Sequence, residues 1–279
     1  MVNSTESGPG LRCGDVILAA MMLFLAILAA ALYLCALLSR FSSPAATGLA
    51  LAAMLLHGYL LPQALLADGQ MRIGLSAAFS LVAWQSALLL WLFCRRYPLQ
   101  ALQAPIYTIA VLGLAAMQLW PADHSQPGIG DWKTQLHVLL SILSSGLLTL
   151  AVVQAATLAA QDRLLHAHRN HPLQNRLPSL QTMETLLFGL LGVGFFLLSL
   201  TLVSGLLFID DLLAQHLAHK TVLSICAWAV LGTLLAGRWR FGWRGRTAIR
   251  WTFAGYAILM LAYFGSKLVL EVLLDRHWS

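Results

Sequence analysis

Hydrophobic residues in this chain run on for twenty positions and more, and short clusters of Arg, Pro, Gly and Asp interrupt them. A helix needs about 20 mainly apolar residues to cross the hydrocarbon core of a bilayer. Eight segments meet that length: 16–38, 45–66, 72–94, 101–120, 134–160, 184–208, 219–237 and 248–274. Arg40, Pro44, Asp68-Gly69, Pro98, Pro121 and Pro127-Gly128 punctuate the first half. No soluble linker, low-complexity tract or internal repeat is visible. The pattern predicts an all-α fold: one polytopic membrane bundle of eight transmembrane helices occupying residues 1–279 as a single domain.

Composition agrees. The 279 residues are 59% hydrophobic and 10% charged, against about a quarter charged in a soluble domain. The net charge of +6 comes mostly from Arg in short loops, which points to membrane orientation rather than nucleic-acid binding. Arg238, Arg240, Arg244, Arg246 and Arg250 lie around the connection of helices 7 and 8. Arg163, Arg169 and Arg176 lie between 5 and 6, Arg95 and Arg96 between 3 and 4, and Arg40 between 1 and 2. With eight helices all four loops fall on one side. By the positive-inside rule that side is cytoplasmic, and both termini are expected on the outer, periplasmic side of a bacterial inner membrane. The opposite loops carry Asp123 and Asp131 with a lone Lys133, then Asp210 and Asp211. The first apolar run is too long, and its leading tail too poor in basic residues, for a cleaved signal.

Polar groups inside hydrocarbon are costly, so each is a candidate functional residue. His57 lies in the outer half of helix 2, His137 near the outer start of helix 5, and His219 at the outer start of helix 7. Three histidines distant in sequence thus approach the same face of the bilayer. Imidazole is an axial ligand of haem iron, so His137 and His219 are candidate iron ligands and His57 an alternative. On helix 5, His137, Ser141, Ser144 and Ser145 share one face. On helix 7, Cys226 follows His219 at seven residues. Helix 8 carries Tyr256, Tyr263, Ser266 and Lys267 along a stripe. Lys267 departs from the positive-inside pattern; it can pair with Glu271 or neutralise an anionic group such as a haem propionate.

Each has a plainer reading. A membrane histidine also serves as an interhelical hydrogen-bonding group, interfacial histidines are solvated, and a lysine snorkels. His124, His166, His168, His171 and His216 read as loop residues. The four cysteines, Cys13, Cys35, Cys94 and Cys226, form no C-x-x-C pair and read as small core residues. Gly189, Gly192, Gly194 and Gly205 of helix 6 read as close-packing positions, and most of the nine tryptophans as an interfacial belt. No hydrolase triad, phosphate loop or zinc-protease motif is present.

The stretch DWKTQLHVLLSILSSGLLTLAVVQA, residues 131–155, resembles the integral-membrane cytochrome c assembly family, which includes CcsA, CcmC and HemX proteins. The stretch HKTVLSICAWAVLGTLLAGRWRFGWRGRTAIRWTFAGYAILMLAYFGSKLVLE, residues 219–271, is similar to the YpjD branch of that family. The resemblance implies an eight-helix haem-handling protein of the bacterial inner membrane, with His137 and His219 as paired histidines flanking an external segment. That segment, LLFIDDLLAQHLAHK, contains no tryptophan and lacks the W-G-x-x-W-x-W-D type of run that presents haem to apocytochrome.

These features together predict a protein that binds haem b through His57, His137, His219 and Lys267, accessory to cytochrome c maturation rather than itself a synthase. Its partners would be membrane lipid and cytochrome c maturation proteins, not nucleic acid. The alternative is a small-solute or ion transporter, or a regulatory membrane subunit without a cofactor; for a transporter, intramembrane carboxylates or a repeat would be expected.

Overall fold

The computed structural model describes residues 13–39, 43–67, 70–71, 75–120, 132–166, 178–208 and 215–265. Within them the chain is all-α but for one two-residue ladder. The helices are α1 (Cys13–Leu38), α2 (Pro44–Leu65), α3 (Leu75–Phe93), α4 (Gln103–Leu119), α5 (Trp132–His166), α6 (Leu180–Phe208), α7 (Gln215–Phe241) and α8 (Arg246–Met260). A 3-10 turn, Gln100–Leu102, leads into α4, and a π turn, Leu261–Gly265, continues α8. Beside Asp68-Gly69, strands Leu66–Ala67 and Gln70–Met71 pair antiparallel, Leu66 opposite Met71.

Seven of the eight helices, α1 to α7, are long and apolar enough to cross a membrane. The eighth, α8, has 15 residues and is not among them; the expected continuation to residue 274 lies outside the described residues. Helices α5 and α7 run past their apolar stretches, because helical hydrogen bonding continues into water where Gln161, Asp162 and Arg163 follow.

Packing divides the helices into two groups. In the first, α1 packs on α2 and α4, and α3 on α2 and α4. In the second, α5 packs on α6 and α8, and α7 on α6 and α8. The groups meet chiefly where α3 lies against α5. Helix α5 is the most enclosed, with 56% of its most apolar window buried, whereas α1, at 17%, presents most of its surface outward.

Small residues set the spacing. Ala26, Ala29 and Ala36 of α1 and Ala46, Ala50 and Ala53 of α2 are buried, which brings backbones close enough for dispersion to hold them. A Cβ on Gly113 of α4 would stand 3.0 Å from the Ser80 Cα of α3, and one on Gly58 of α2 would meet the Trp84 indole at 3.0 Å. Of the four helix-6 glycines read as packing positions, Gly194 lies against Leu148 and Gly205 against His137. Gly189 and Gly192 have nothing within 4 Å of a Cβ and contribute no close packing. The cysteine reading also changes: Cys35 and Cys226 are exposed at the bundle surface rather than in the core, and Cys94 is half-buried. Trp120, Trp132 and Trp239 are exposed near helix ends, as the aromatic belt predicts.

At the α7–α8 corner, Gly242 and Gly245 adopt φ of 66° and 57°, a conformation that favours glycine. The Gly245 amide donates to Glu184 at 2.8 Å. Arg246 bonds Asp162 at 3.2 Å, and Arg244 reaches Glu184 at 4.0 Å. The arginine-bearing ends of the second group are therefore matched by carboxylates. The sequence holds no Asp or Glu between Asp15 and Asp68, or between Asp68 and Asp123, so the first group has no such match for Arg95 and Arg96.

Candidate functional site

Helix α5 carries its polar residues on successive turns, and the structure turns them toward neighbouring helices. The His137 ring is half-buried against α6, where Gly205 takes the place a side chain would fill; a Cβ there would stand 3.1 Å from His137 Cε1. His137 Nδ1 lies 3.0 Å from Ser204 Oγ. That hydroxyl gives its single proton to the Thr201 carbonyl at 2.9 Å. With Ser204 Oγ left to accept, Nδ1 carries the ring proton and the lone pair falls to Nε2; the ring is also hydrogen-bonded to the Thr201 backbone. This arrangement suits a metal ligand, whose second nitrogen is ordinarily tied to a hydrogen-bonding partner.

One turn further along, Ser141 donates to the His137 carbonyl at 2.8 Å and is hydrogen-bonded to Tyr263 of the π turn. Ser144 donates to the Gly194 carbonyl of α6, and Thr149 pairs with the Tyr256 hydroxyl of α8 at 2.8 Å. Of the expected polar face of α5, Ser141 thus meets the Tyr263 end of the stripe, whereas His137 and Ser144 bond α6 and Ser145 bonds its own helix; Tyr256 pairs with Thr149, which that face did not include. The π turn matters here, because such local unwinding is frequent at functional sites.

His57 stands apart from this face. It is fully buried on α2, with Nε2 2.9 Å from Ser80 Oγ of α3 and Nδ1 3.5 Å from the Tyr33 hydroxyl of α1. Tyr33 in turn lies against Tyr107 of α4, ring centroids 5.5 Å apart. His57 and His137 thus have different sets of partners: α1 and α3 for the first, α6 for the second. The side chains of His216 and His219 lie outside the described residues, as do Lys267, Ser266, Glu271, His124, His168 and His171; His216 itself falls in the first turn of α7 rather than in a loop. His166 is exposed and bonds the Asp162 carbonyl at 2.7 Å. Among the described residues no three or more His, Cys, Asp or Glu side chains gather into a metal-binding group.

Sequence reasoning missed the partners: Ser204 and Gly205 for His137, Tyr33 and Ser80 for His57. A serine–glycine pair near the end of an apolar helix is the only trace they leave. Gln85 also escaped notice. It is buried where α3 meets α5, its amide against Gly146, and neither amide atom has a hydrogen-bond partner among the described residues.

The family described as Cytochrome C assembly protein matches residues 16–274. Inner membrane protein YpjD of Escherichia coli is 31% identical over 231 residues, spanning 80% of this chain and 86% of its own. Protein HemX of Brevibacillus brevis is 28% identical over 131 residues, 46% of this chain and 48% of its own. Cytochrome c biogenesis protein CcsA of Nostoc sp. is 22% identical over 156 residues, 55% and 44% respectively. No solved structure matches the chain. The protein with these likenesses is a multi-pass inner-membrane protein.

Proposed function

We propose, since the chain belongs to the cytochrome c assembly protein family, that it binds haem at the outer membrane face as an accessory to cytochrome c maturation. The observation that carries this reading is the state of His137. Its ring is held from behind by Ser204, its protonated nitrogen is spent there, and the lone pair falls to Nε2 beside a wall reduced to Gly205. The donor chemistry fits haem iron, for which neutral imidazole is a usual axial ligand.

In this reading His137 and His219 are the iron ligands, and Lys267 neutralises a propionate. When bound, haem would supply a redox-active iron, and holding it through two histidines would favour storage, transfer or electron carriage over oxygen chemistry. Ser204 fixes the tautomer and orientation of His137, while Ser141 and Tyr263 brace the turn that bears it. His57 has both nitrogens engaged and acts as a buried tie among α1, α2 and α3; serving iron would require it to give up Ser80 or Tyr33. The segment between α6 and α7 contains no tryptophan, so the role is haem holding or delivery rather than thioether formation.

The test is the absorption spectrum of the full chain purified in detergent after expression with ample haem. A Soret band is expected, lost on replacing His137 and His219 together by Ala. Ser204→Ala is expected to weaken haem binding by about tenfold, the usual scale for a group that orients a metal-bound histidine, with folding retained. A folded but colourless protein, or a Soret band indifferent to both histidines, overturns the reading and favours a transporter or cofactor-free subunit.

A further inference from the structure

A second candidate site lies away from His137, at the arginine-bearing end of the first helix group. A cavity of about 230 Å³ opens between the end of α1, the start of α2, the end of α3 and the start of α4. Trp91 lines it from α3, Cys94 and Arg95 from the turn that follows, Gln100 from the 3-10 turn, and Gln103 and Tyr107 from α4. Trp91 is fixed by donating Nε1–H to the Thr47 carbonyl at 3.3 Å. The Arg95 guanidinium folds back over that indole, 4.0 Å from the ring centroid, so a full positive charge is held at the mouth rather than left to wander in solvent.

The charge there is unanswered. Asp162 and Glu184 meet Arg246 and Arg244 in the second group, but Arg95 has no carboxylate partner among the described residues. No acidic residue lines the cavity, and between Asp15 and Asp123 the sequence holds only Asp68, in the connection of α2 and α3. The remaining polar lining consists of amide, thiol, hydroxyl and indole groups, which suit a hydrogen-bonding anion. Two helices begin and two end at this cavity, so their dipoles offset one another and its positive charge rests on Arg95. The volume lies below the 300–1,000 Å³ of pockets that enclose drug-sized ligands, so it admits a head group rather than a macrocycle.

We propose that this cavity binds the phosphate of an anionic phospholipid head group, with the acyl chains along the outward apolar face of α1. Arginine is the natural partner of a phosphate, and anionic lipid is drawn to basic clusters at the cytoplasmic surface. This site is independent of any haem chemistry. It assigns the Arg95–Trp91 pair a ligand, where the positive-inside rule alone would assign only an orientation.

The test uses the full chain purified in detergent, titrated with phosphatidylglycerol, phosphatidylcholine or inorganic phosphate, and read by native mass spectrometry and by the thermal unfolding midpoint. Phosphatidylglycerol is expected to be retained and to raise the midpoint, phosphatidylcholine much less so. Arg95→Gln is expected to weaken phosphatidylglycerol retention by about tenfold, the worth of a hydrogen bond to a charged group. Trp91→Leu is expected to weaken it less, and Arg244→Gln to leave it unchanged. Equal retention of both lipids, or an Arg95→Gln protein that still prefers phosphatidylglycerol, overturns the site. A midpoint raised equally by inorganic phosphate keeps the anion site but overturns its lipid source.

Discussion

At the residue scale, His57 shows how a costly side chain becomes affordable in hydrocarbon. Buried with no exposed surface, it needs a partner at each nitrogen, and Ser80 and Tyr33 provide them from two other helices. The shorter contact should matter more. Ser80→Ala strands Nε2 and is expected to cost about 1 kcal/mol, within the range measured for interhelical hydrogen bonds in membranes. Tyr33→Phe, which removes a 3.5 Å contact, should cost less. Unfolding midpoints of the two variants in detergent check that order, and a larger loss for Tyr33→Phe would refute it. The sequence made His57 conspicuous because it interrupts an apolar run. It could not reveal Tyr33 and Ser80, which lie 24 and 23 residues away on different helices and become neighbours only through packing. Ser204 was hidden for the same reason: a serine in an apolar helix most often bonds its own preceding turn, and this one does so while also holding His137.

At the scale of elements, the helices were legible because hydrophobic length is a constraint of the solvent, not of the partners. Their ends were less so. Residues 161–163 read as loop because they are polar, yet α5 carries on to His166, where Gln161 bonds the Pro178 carbonyl and Asp162 meets Arg246. Glycine roles were illegible one by one, since a glycine at a helix contact and a glycine facing lipid have the same letter. Gly255 lies against Leu231, where a Cβ would approach to 2.6 Å, and Leu231 is itself buried. Gly255→Ala is therefore expected to destabilise α8 against α7 by about 1–3 kcal/mol, the cost of overpacking a filled interior. Gly189→Ala meets nothing and should be neutral or stabilising by up to about 1 kcal/mol, because alanine is the better helix former. Comparing their unfolding midpoints separates the two; equal effects would show that the α7–α8 contact is looser than described.

At the scale of the whole molecule, the eight crossings expected from the sequence, with four arginine-bearing loops on one side, would place both termini on the other. A C-terminal alkaline phosphatase fusion is accordingly expected to be active in cells and a green fluorescent fusion dark; the reverse pair of results would overturn the topology. The two helix groups would be held in that orientation by different means. In the second, Asp162 and Glu184 offset part of the arginine charge. In the first, the only acidic residue in the sequence between Asp15 and Asp123 is Asp68, in the connection of α2 and α3 and so not beside Arg40, Arg95 and Arg96 in theirs. An energised bacterial membrane is negative inside, and moving one elementary charge through it costs about 2.3 kcal/mol per 100 mV. Turning the first group over would drag all three arginines outward against that voltage, at about 7 kcal/mol per 100 mV. In the expected orientation the membrane voltage would thus help to hold this end of the protein inside, and that hold should slacken whenever the cell is depolarised during insertion.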